Sequence, residues 1–550
     1  MKNALIILLV FALAPLAHAA TVLSNAHIHT LDPQQPNATA MAWDDDGEIV
    51  ALGEASALLA RYPEAQRIDA GGAVLVPGLI DAHAHLMGLA MALSGVDLVG
   101  ASSKAEVVQR LQRFAADLPP GEWLRGRGWD QNRWPDTAFP TAADLDAAFP
   151  ERPVWLERVD GHAGWANSAA MRAVGRDLDG DWQPDGGRIE RVDGKASGVF
   201  VDGAAVLVDA VVPPPSDALR ARALEAALAL AARNGLTGLH DMGVSLADLA
   251  LYRRFADAGK LSLRVTAYAD GDAAALAALC AMGPYRHASG RLGMAGVKLY
   301  ADGALGSRGA ALLADYSDDP HNRGLLVTEP EALQTAMVKA RECGLQVATH
   351  AIGDRGNRIV LDAYQAVLGD AAASNHRWRI EHAQIVAPGD IARFKTLNVI
   401  ASMQPTHATS DMPWAEARVG AERLFGAYAW QRFIAAGVRL ALGSDFPVEQ
   451  VDPRLGLYAA VSRQDRDGQP TGGWLPGQRL SAGEALRGFT RDAAYAGFAE
   501  NTVGTLKPGY RADFVLLDGD PLSVAPRAVV DLKVRSTWVD GEAVYRIPAR

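Results

Sequence analysis

Cysteine is scarce in this 550-residue chain, which contains only Cys280 and Cys343. Two thiols are too few for a disulfide framework or for a zinc site built from cysteine, although one bridge in an oxidising compartment is left open. Any metal must therefore be held by histidine, by carboxylate or by a less usual ligand.

Basic residues and serine-nucleophile motifs are also in short supply. Lys and Arg number 53 against 64 Asp and Glu, so the formal net charge is -11 and nucleic acid is not expected as a partner.

The chain has no G-x-S-x-G sequence, and both cysteines lie outside the motifs that suggest chemistry. We therefore predict no serine or cysteine nucleophile.

Long apolar runs are confined to the first residues, "MKNALIILLVFALAPLAHAA". A lysine, an apolar stretch and the triplet Ala-His-Ala are typical of a cleavable secretory signal, here residues 1–19. An N-terminal membrane anchor is the alternative, but the run is short for a bilayer span. We expect export across the inner membrane to the bacterial periplasm, and a mature chain without membrane contact.

The two ends of the chain share a β pattern. Residues 20–76 include "MAWDDDGEIVALG" and residues 504–550 include "VRSTWVDGEAVYR", each with alternating residues and an Asp-Gly turn signal. These ends are predicted to pair in one small β domain.

Residues 77–503 have a different pattern. From about residue 216, helices such as the one that Ser216 caps and Gly235 ends alternate with short apolar strands, which indicates a parallel sheet. Four strands end on polar residues, in "AGVKLYADG", "LQVATHAIGD", "RWRIEHAQ" and "VRLALGSDFP". A TIM barrel has its active-site residues at such strand ends.

A long insertion, about residues 86–215, lies between the first predicted strand, "PGLIDAHAH", and this series, and it holds half of the twelve tryptophans. They are Trp123, Trp129, Trp134, Trp155, Trp165 and Trp182. Packing of the insertion's own core is the favoured interpretation. An aromatic lid over an active site is the alternative, with "GRGWD" and "DGHAGWANS" as its candidate segments.

A histidine pair ends the first strand, in "PGLIDAHAH". His83 and His85 are two residues apart, so in a strand both rings point to one side and can reach a single cation. His27 and His29 in "NAHIHTLDP" have the same spacing, so spacing alone does not identify a metal site.

Lys298 is the most informative of the later strand-end residues. It lies between Val297 and Leu299 in a strand expected to be buried on both faces, where an unpaired ammonium is costly. A salt bridge, a lowered pKa or conversion to a carbamate would each resolve this. With His350, His382 and Asp445 at other strand ends, the set predicts a metal site.

Six motifs of this sequence resemble the motifs of a known family and occur in the same order along the chain. "PGLIDAHAH", "GVKLYADGALGSR", "THAIGDRGN", "RIEHAQ", "LGSDFPV" and "GTLKPGYRADFVLLDGDP" are similar to those of the metal-dependent amidohydrolase superfamily. The closest pattern is its amidohydrolase-3 branch, which includes N-substituted formamide deformylase-like and YtcJ-like proteins. The resemblance implies an α/β fold, a TIM-like (β/α)8 barrel with a small β-sandwich built from both termini.

The same resemblance implies a site with one or two divalent metals, most often zinc. His83 and His85 would bind the first metal, Lys298 would bridge as a carboxylated lysine, and His350 and His382 would bind the second. Asp445 would bind the first metal and move protons. Trp129, Asp130, His162, His240 and Arg308 resemble substrate-contacting positions of the branch, whereas His27 and His29 fall in the first sandwich strand and are expected to be structural.

The implied function is hydrolysis of a non-peptide C–N bond, in an amide, N-formyl group or cyclic amide, by a metal-bound hydroxide. The tryptophan-rich insertion suggests a small-molecule substrate with an apolar or aromatic substituent, and a homo-oligomer is left open. Ester or phosphotriester hydrolysis is the alternative within the superfamily. A non-catalytic periplasmic metal- or solute-binding protein is a further alternative.

Overall fold

The computed structural model describes residues 21–119, 121–131, 134–158, 163–184, 187–202, 204–306 and 308–548. The chain divides into two compact units. The chain up to His85 together with residues from Leu228 onward forms the barrel unit, and Leu86–Ala227 forms the insertion unit. No helix in the described ranges is long and apolar enough to cross a membrane. The predicted signal segment, residues 1–19, lies outside these ranges.

The barrel unit begins with short strands. They are β1 (Thr21–Ser24), β2 (His27–His29), β3 (Asn37–Ala38), β4 (Ala40–Trp43), β5 (Ile49–Gly53), β6 (Gln66–Asp69), β7 (Val74–Pro77) and β8 (Leu79–Ala84), with helix α1 (Ala55–Arg61) after β5. β4 and β5 pair antiparallel around the predicted Asp-Gly turn, in which Gly47 has φ +78°. A left-handed residue at that point favours glycine.

The insertion unit is a six-stranded sheet with helices. Its elements are α2 (Leu86–Leu93), β9 (Val96–Asp97), α3 (Lys104–Ala115), β10 (Leu124–Trp129), α4 (Ala142–Asp146), β11 (Val154–Arg158), β12 (Ala163–Ala166), α5 (Ser168–Ala173), β13 (Gly187–Val192), β14 (Lys195–Asp202) and α6 (Val206–Asp209). The strand order is β13-β14-β12-β11-β10-β9. Five of the six tryptophans are buried in its two apolar clusters, and Trp182 packs against one of them. The core-packing interpretation is therefore confirmed for these side chains.

Helix α7 (Asp217–Arg233) leads to the remaining barrel strands. These are β15 (Leu236–Val244), β16 (Arg264–Asp270), β17 (Tyr285–Arg286), β18 (Leu292–Tyr300), β19 (Gln346–Ala351), β20 (Arg379–His382), β21 (Ile400–Met403) and β22 (Leu440–Leu442). The sheet order is β8-β15-β16-β18-β19-β20-β21-β22, and each of these neighbours pairs parallel. This confirms the predicted TIM-like barrel.

Backbone hydrogen bonds join the last strand to the first. The Asp445 N–H donates to the His83 carbonyl at 2.7 Å, and the His85 N–H donates to the Phe446 carbonyl at 2.8 Å. The carboxyl ends of β8 and β22 therefore meet.

Helices surround the barrel strands. They are α8 (Leu246–Asp257), α9 (Ala273–Met282), α10 (Pro330–Glu342), α11 (Asp354–Leu368), α12 (Pro388–Thr396), α13 (Pro405–Asp411), α14 (Ala415–Val419), α15 (Trp430–Ala435), α16 (Pro453–Ser462), α17 (Ala482–Gly488) and α18 (Arg491–Ala496). Cys280 of α9 and Cys343, which follows α10, form a disulfide. The bridge that the sequence left open is thus present.

The chain ends with strands β23 (Phe514–Leu517), β24 (Val534–Val539) and β25 (Glu542–Arg546). β23 pairs antiparallel with β7, so strands from both ends of the chain share the sheet β25-β24-β23-β7-β2-β3. A second sheet has the order β5-β4-β1-β6. Trp43 of this sheet packs against Phe514 and Trp538 of the other, with ring centroids 5.6 and 5.8 Å apart. Strands from the two ends of the chain thus pair with each other, whereas a separate small β domain built from them stays a prediction.

An ion-pair cluster attaches the terminal strands to the barrel. Arg264, at the start of β16, donates to both oxygens of Asp513 at 2.7 and 2.9 Å and to Asp540 at 2.5 Å. Asp513 is 2% exposed. A carboxylate at this depth depends on its cation, because the charge alone would be costly to bury.

We predict that Arg264→Ala lowers the free energy of unfolding by about 3–5 kcal/mol, since it leaves the buried carboxylate of Asp513 without its cation. Urea unfolding followed by circular dichroism measures the change. The matched control is Arg172→Ala, which breaks a pair with Glu151 whose side chains are 60% and 92% exposed. It should cost at most about 1 kcal/mol, and equal losses in the two variants would contradict the prediction.

Candidate functional site

The carboxyl ends of the barrel strands surround a cavity of about 650 Å³. Its lining includes His85, Lys298, His350, His382 and Asp445, and His83 lies directly beneath. Each of these six side chains comes from a strand end that the sequence singled out. The barrel therefore brings together all six residues of the predicted metal site.

His83, His85 and Asp445 form the most compact group. Nδ1 of His83 donates to Glu381 at 2.5 Å, and Nδ1 of His85 donates to the Met242 carbonyl at 2.8 Å. With the ring protons assigned from these partners, neither Nε2 atom carries a proton. Asp445 Oδ1 lies 3.0 Å from Nε2 of His85 and 3.4 Å from Nε2 of His83.

This group fits a metal ion. Three acceptor atoms converge, and the buried Asp445 Oδ1 receives no well-directed hydrogen bond. Zinc–nitrogen bonds of 2.0–2.1 Å in a tetrahedron correspond to ligand–ligand separations of about 3.3 Å, close to the two distances to Asp445. A cation would turn the repulsion among three acceptors into coordination.

Lys298 lies in β18 and is 1% exposed. Burial lowers the pKa of its amine to about 8, against the opposing charges of Glu381 and Asp445. Its Nζ is 3.2 Å from Nε2 of His83. The amine therefore lies beside the same His83 nitrogen that faces Asp445. Because its pKa is lowered, the neutral form of the amine costs less free energy at Lys298 than at a surface lysine.

His350 and His382 are the other two histidines of the predicted metal site. Their ring centroids are 4.5 Å apart, and Nδ1 of His382 donates to Gln404 at 2.8 Å, which leaves Nε2 of His382 free. Nε2 of His350 is 3.5 Å from the Gly303 carbonyl. Burial lowers the pKa of His350 to about 3, so its ring is neutral and able to bind a metal.

His407 is a member of the site that the sequence analysis missed. It lies in α13, its ring stacks on His382 with centroids 5.8 Å apart, and its Nε2 is 3.6 Å from Asp445 Oδ2. Gln384 donates to Nδ1 at 3.0 Å, so Nε2 carries the proton and faces the carboxylate. The available signal was "ASMQPTH", another apolar strand that ends on polar residues.

A buried ion pair supports His83 from below. Arg379 and Glu381 are both fully buried in β20 and are joined by hydrogen bonds of 2.6 and 3.1 Å. The guanidinium also donates to His240 Nδ1 at 2.9 Å. Glu381 in turn holds the ring of His83, as a carboxylate behind a metal-binding histidine commonly does.

Two residues of the predicted metal site have backbone conformations that few side chains adopt. His382 has φ +71° and Asp445 has φ +64°. Such strain persists where the surrounding structure imposes it, and it is concentrated at functional sites. Beside Asp445, the carboxylate of Asp81 joins two strand ends, because it accepts from the Ser444 hydroxyl at 2.6 Å and from the His83 N–H at 3.1 Å.

The predicted substrate contacts lie in different environments. His240 is 2% exposed beneath the site, and Arg308 pairs with Asp318 at 3.0 Å outside the cavity lining. Both placements favour supporting roles, and substrate contact at these residues stays a prediction.

The remaining candidates belong to the insertion. Trp129 is fully buried there and donates to the Leu156 carbonyl at 2.9 Å, while Asp130 accepts from Arg158 at 2.8 Å. His162 lies outside the described residues. Substrate contact at Trp129, Asp130 and His162 also stays a prediction.

Comparison with known proteins identifies the family. The Amidohydrolase family model matches residues 66–545. YtcJ of Bacillus subtilis (strain 168), named as an amidohydrolase, is 34% identical over 524 residues, which cover 93% of this chain and 97% of YtcJ. N-substituted formamide deformylase of Arthrobacter pascens is 30% identical over 540 residues, 95% of this chain and 97% of that protein.

A solved structure agrees with both. The uncharacterized metal-dependent hydrolase from Pyrococcus horikoshii OT3 superposes with a TM-score of 0.76 at 30% identity, over 92% of this chain and 99% of that one. The chain thus belongs to the amidohydrolase family, and it is a metal-dependent hydrolase that acts on C–N bonds, other than peptide bonds, in small molecules.

Proposed function

We propose that this protein hydrolyses an amide, an N-formyl group or a cyclic amide at a centre of one or two zinc ions. The observation that carries the proposal is the convergence of two histidine Nε2 atoms, both assigned as unprotonated, on Asp445 Oδ1 at 3.0 and 3.4 Å. The relatedness to a formamide deformylase supports the choice of bond.

The proposed ligands form two neighbouring sets. His83, His85 and Asp445 would hold one ion, His350 and His382 would hold the other, and Lys298, carboxylated on Nζ, would bridge them. Ligand sets that combine two histidine nitrogens with carboxylate or carbamate oxygens suit zinc. Bound there, such ions would lower the pKa of water and polarise a carbonyl oxygen.

The protein's own groups would move the proton. Asp445 would accept it from the attacking water and return it to the departing nitrogen. His407, whose Nε2 is 3.6 Å from Asp445 Oδ2, would stabilise the carboxylate in the orientation that this transfer needs. Glu381 and the Met242 carbonyl fix the rings of His83 and His85 before substrate arrives, which avoids reorganisation during the reaction.

The cavity supports a substrate with an apolar or aromatic substituent. Leu305, Ile352, Trp414 and Val448 line it together with the polar groups described above. Ligand sites commonly combine such an apolar wall with a few polar groups that fix orientation. The indole of Trp414 offers the largest flat surface among them.

We also propose that residues 1–19 are cleaved as a secretory signal and that the mature protein is periplasmic. The disulfide between Cys280 and Cys343 supports this, because disulfides persist in oxidising compartments. The shared core of the two terminal sheets supports their description as the small β-sandwich.

We predict that the purified protein contains at least one zinc per chain and turns over members of a panel of N-formyl, N-acyl and cyclic amides. Asp445→Asn should lower kcat/KM by about 10²- to 10⁴-fold, since it removes the proton acceptor. Metal analysis and steady-state kinetics with zinc or manganese measure both. Asp411→Asn, which alters a cavity carboxylate bonded to Tyr428, is the matched control and should keep the metal content.

Less than one bound metal per chain, together with no turnover of any amide, would overturn the hydrolase proposal. Turnover of esters or phosphotriesters but not amides would overturn only the choice of bond.

The bridging role of Lys298 has its own test. We predict that Lys298→Ala loses at least half of the bound metal, because both proposed ions share this ligand. Elemental analysis after gel filtration gives the count, and Lys339→Ala, a 52% exposed lysine side chain, serves as control. Unchanged metal in Lys298→Ala would rule out the bridge.

The apolar wall predicts a selective effect on binding. Trp414→Ala should raise KM for an N-formyl amine with an aromatic substituent by about tenfold. This change corresponds to a loss of roughly 1.4 kcal/mol of binding free energy. KM for a methyl-substituted analogue should change little, and kcat should change little for either. An equal change in KM for both substrates would argue against a substituent site at Trp414.

A further inference from the structure

The second histidine pair of the sequence, His27 and His29, lies in β2, which belongs to a different sheet from the barrel strands. Ile28 between them is fully buried, so the two histidines share the opposite face of the strand. Their ring centroids are 4.7 Å apart in an edge-to-face arrangement.

A carboxylate completes this face. Asp520 follows β23, and its Oδ1 is 3.0 Å from Nε2 of His29, although the two residues are 491 positions apart in sequence. One ligand atom from each of His27, His29 and Asp520 lies within 4.8 Å of the other two. The pairing of β2 and β23 with β7 brings the three side chains together.

We propose that His27, His29 and Asp520 form a second metal site, separate from the barrel site, for a divalent transition-metal ion such as Zn²⁺. Two imidazoles and one carboxylate are borderline donors, which suit zinc, copper or nickel better than calcium or magnesium. Three protein ligands leave a coordination position for water. The site is open to solvent, so an ion can enter without movement of the barrel.

Simple ion pairing does not account for all three residues. A hydrogen bond to Asp520 satisfies His29, but within the described residues the His27 ring has contact with the His29 ring and no hydrogen-bond partner. The pair of His287 with Asp257, also 3.0 Å apart, shows the contrast. There the second ring nitrogen bonds Ser289, and no third ligand is present among the described residues.

The proposed ion would join the two ends of the folded chain. His27 and His29 belong to the first strands, whereas Asp520 belongs to the last segment, and both segments lie in one sheet. A ligand that binds only where these segments are paired stabilises the folded state. The site would therefore act as a clamp and would have no part in hydrolysis.

Counting bound zinc tests the proposal on the full mature chain. Metal-stripped protein is dialysed against buffered Zn²⁺, and bound zinc is measured by mass spectrometry for wild type, His27→Gln and Asp520→Asn. We expect both variants to bind one zinc fewer per chain than wild type, with hydrolytic activity unchanged. His287→Gln, the matched control, should bind as many as wild type.

His27 is exposed, so His27→Gln removes a ligand without disturbing the core. Zinc should raise the thermal midpoint of wild type more than that of His27→Gln. Equal zinc counts in wild type and His27→Gln would overturn the site. A loss in His27→Gln but not in Asp520→Asn would overturn the role of the carboxylate. If Lys298→Ala loses zinc from the barrel site, the difference of one zinc between His27 and Gln at position 27 should remain. The barrel site and the site at His27, His29 and Asp520 can therefore be disproved independently.

Discussion

The fully buried pair of Arg379 and Glu381 is the constraint on which the site depends. Two charges in the interior of a barrel are costly unless every polar atom has a partner. Here the guanidinium bonds His240 of β15, the Ala82 carbonyl of β8 and Ser402 of β21, while Glu381 bonds His83. Strand assembly and the orientation of His83 therefore rest on the same hydrogen bonds, and misplacing one strand would leave a buried charge unpaired.

This pair also explains the unusual backbone at the strand end. Arg379 and Glu381 are two residues apart, so regular alternation directs both to the barrel interior and would direct His382 away from it. The positive φ of His382 breaks the alternation and turns the ring toward His350 and His407. The strained residue thus allows successive side chains of one strand to serve the ion pair and the cavity.

The barrel and its strand-end residues could be predicted because each lies where an apolar run stops, which is a local property of the sequence. Arg379 and Glu381 lay within the quoted motif "RWRIEHAQ" but received no role, since a buried ion pair is recognised only with its partners from other strands. Asp520 was missed for the same reason, whereas His407 follows a strand end, "ASMQPTH", that could have been recognised from the sequence. The tautomers of His83 and His85 depend on Glu381 and on the Met242 carbonyl, contacts made far apart in sequence.

Charge balance links the proposed chemistry to the burial of Lys298. Arg379 pairs with Glu381, and the ammonium of Lys298 interacts with the carboxylate of Asp445. Carboxylation would change Lys298 from +1 to -1 and leave two anions beside the histidines in a region of low dielectric. Such a state is unfavourable alone, and divalent ions between the anions and the histidines reverse it. Carboxylation and metal binding should therefore stabilise each other, and neither should be complete without the other.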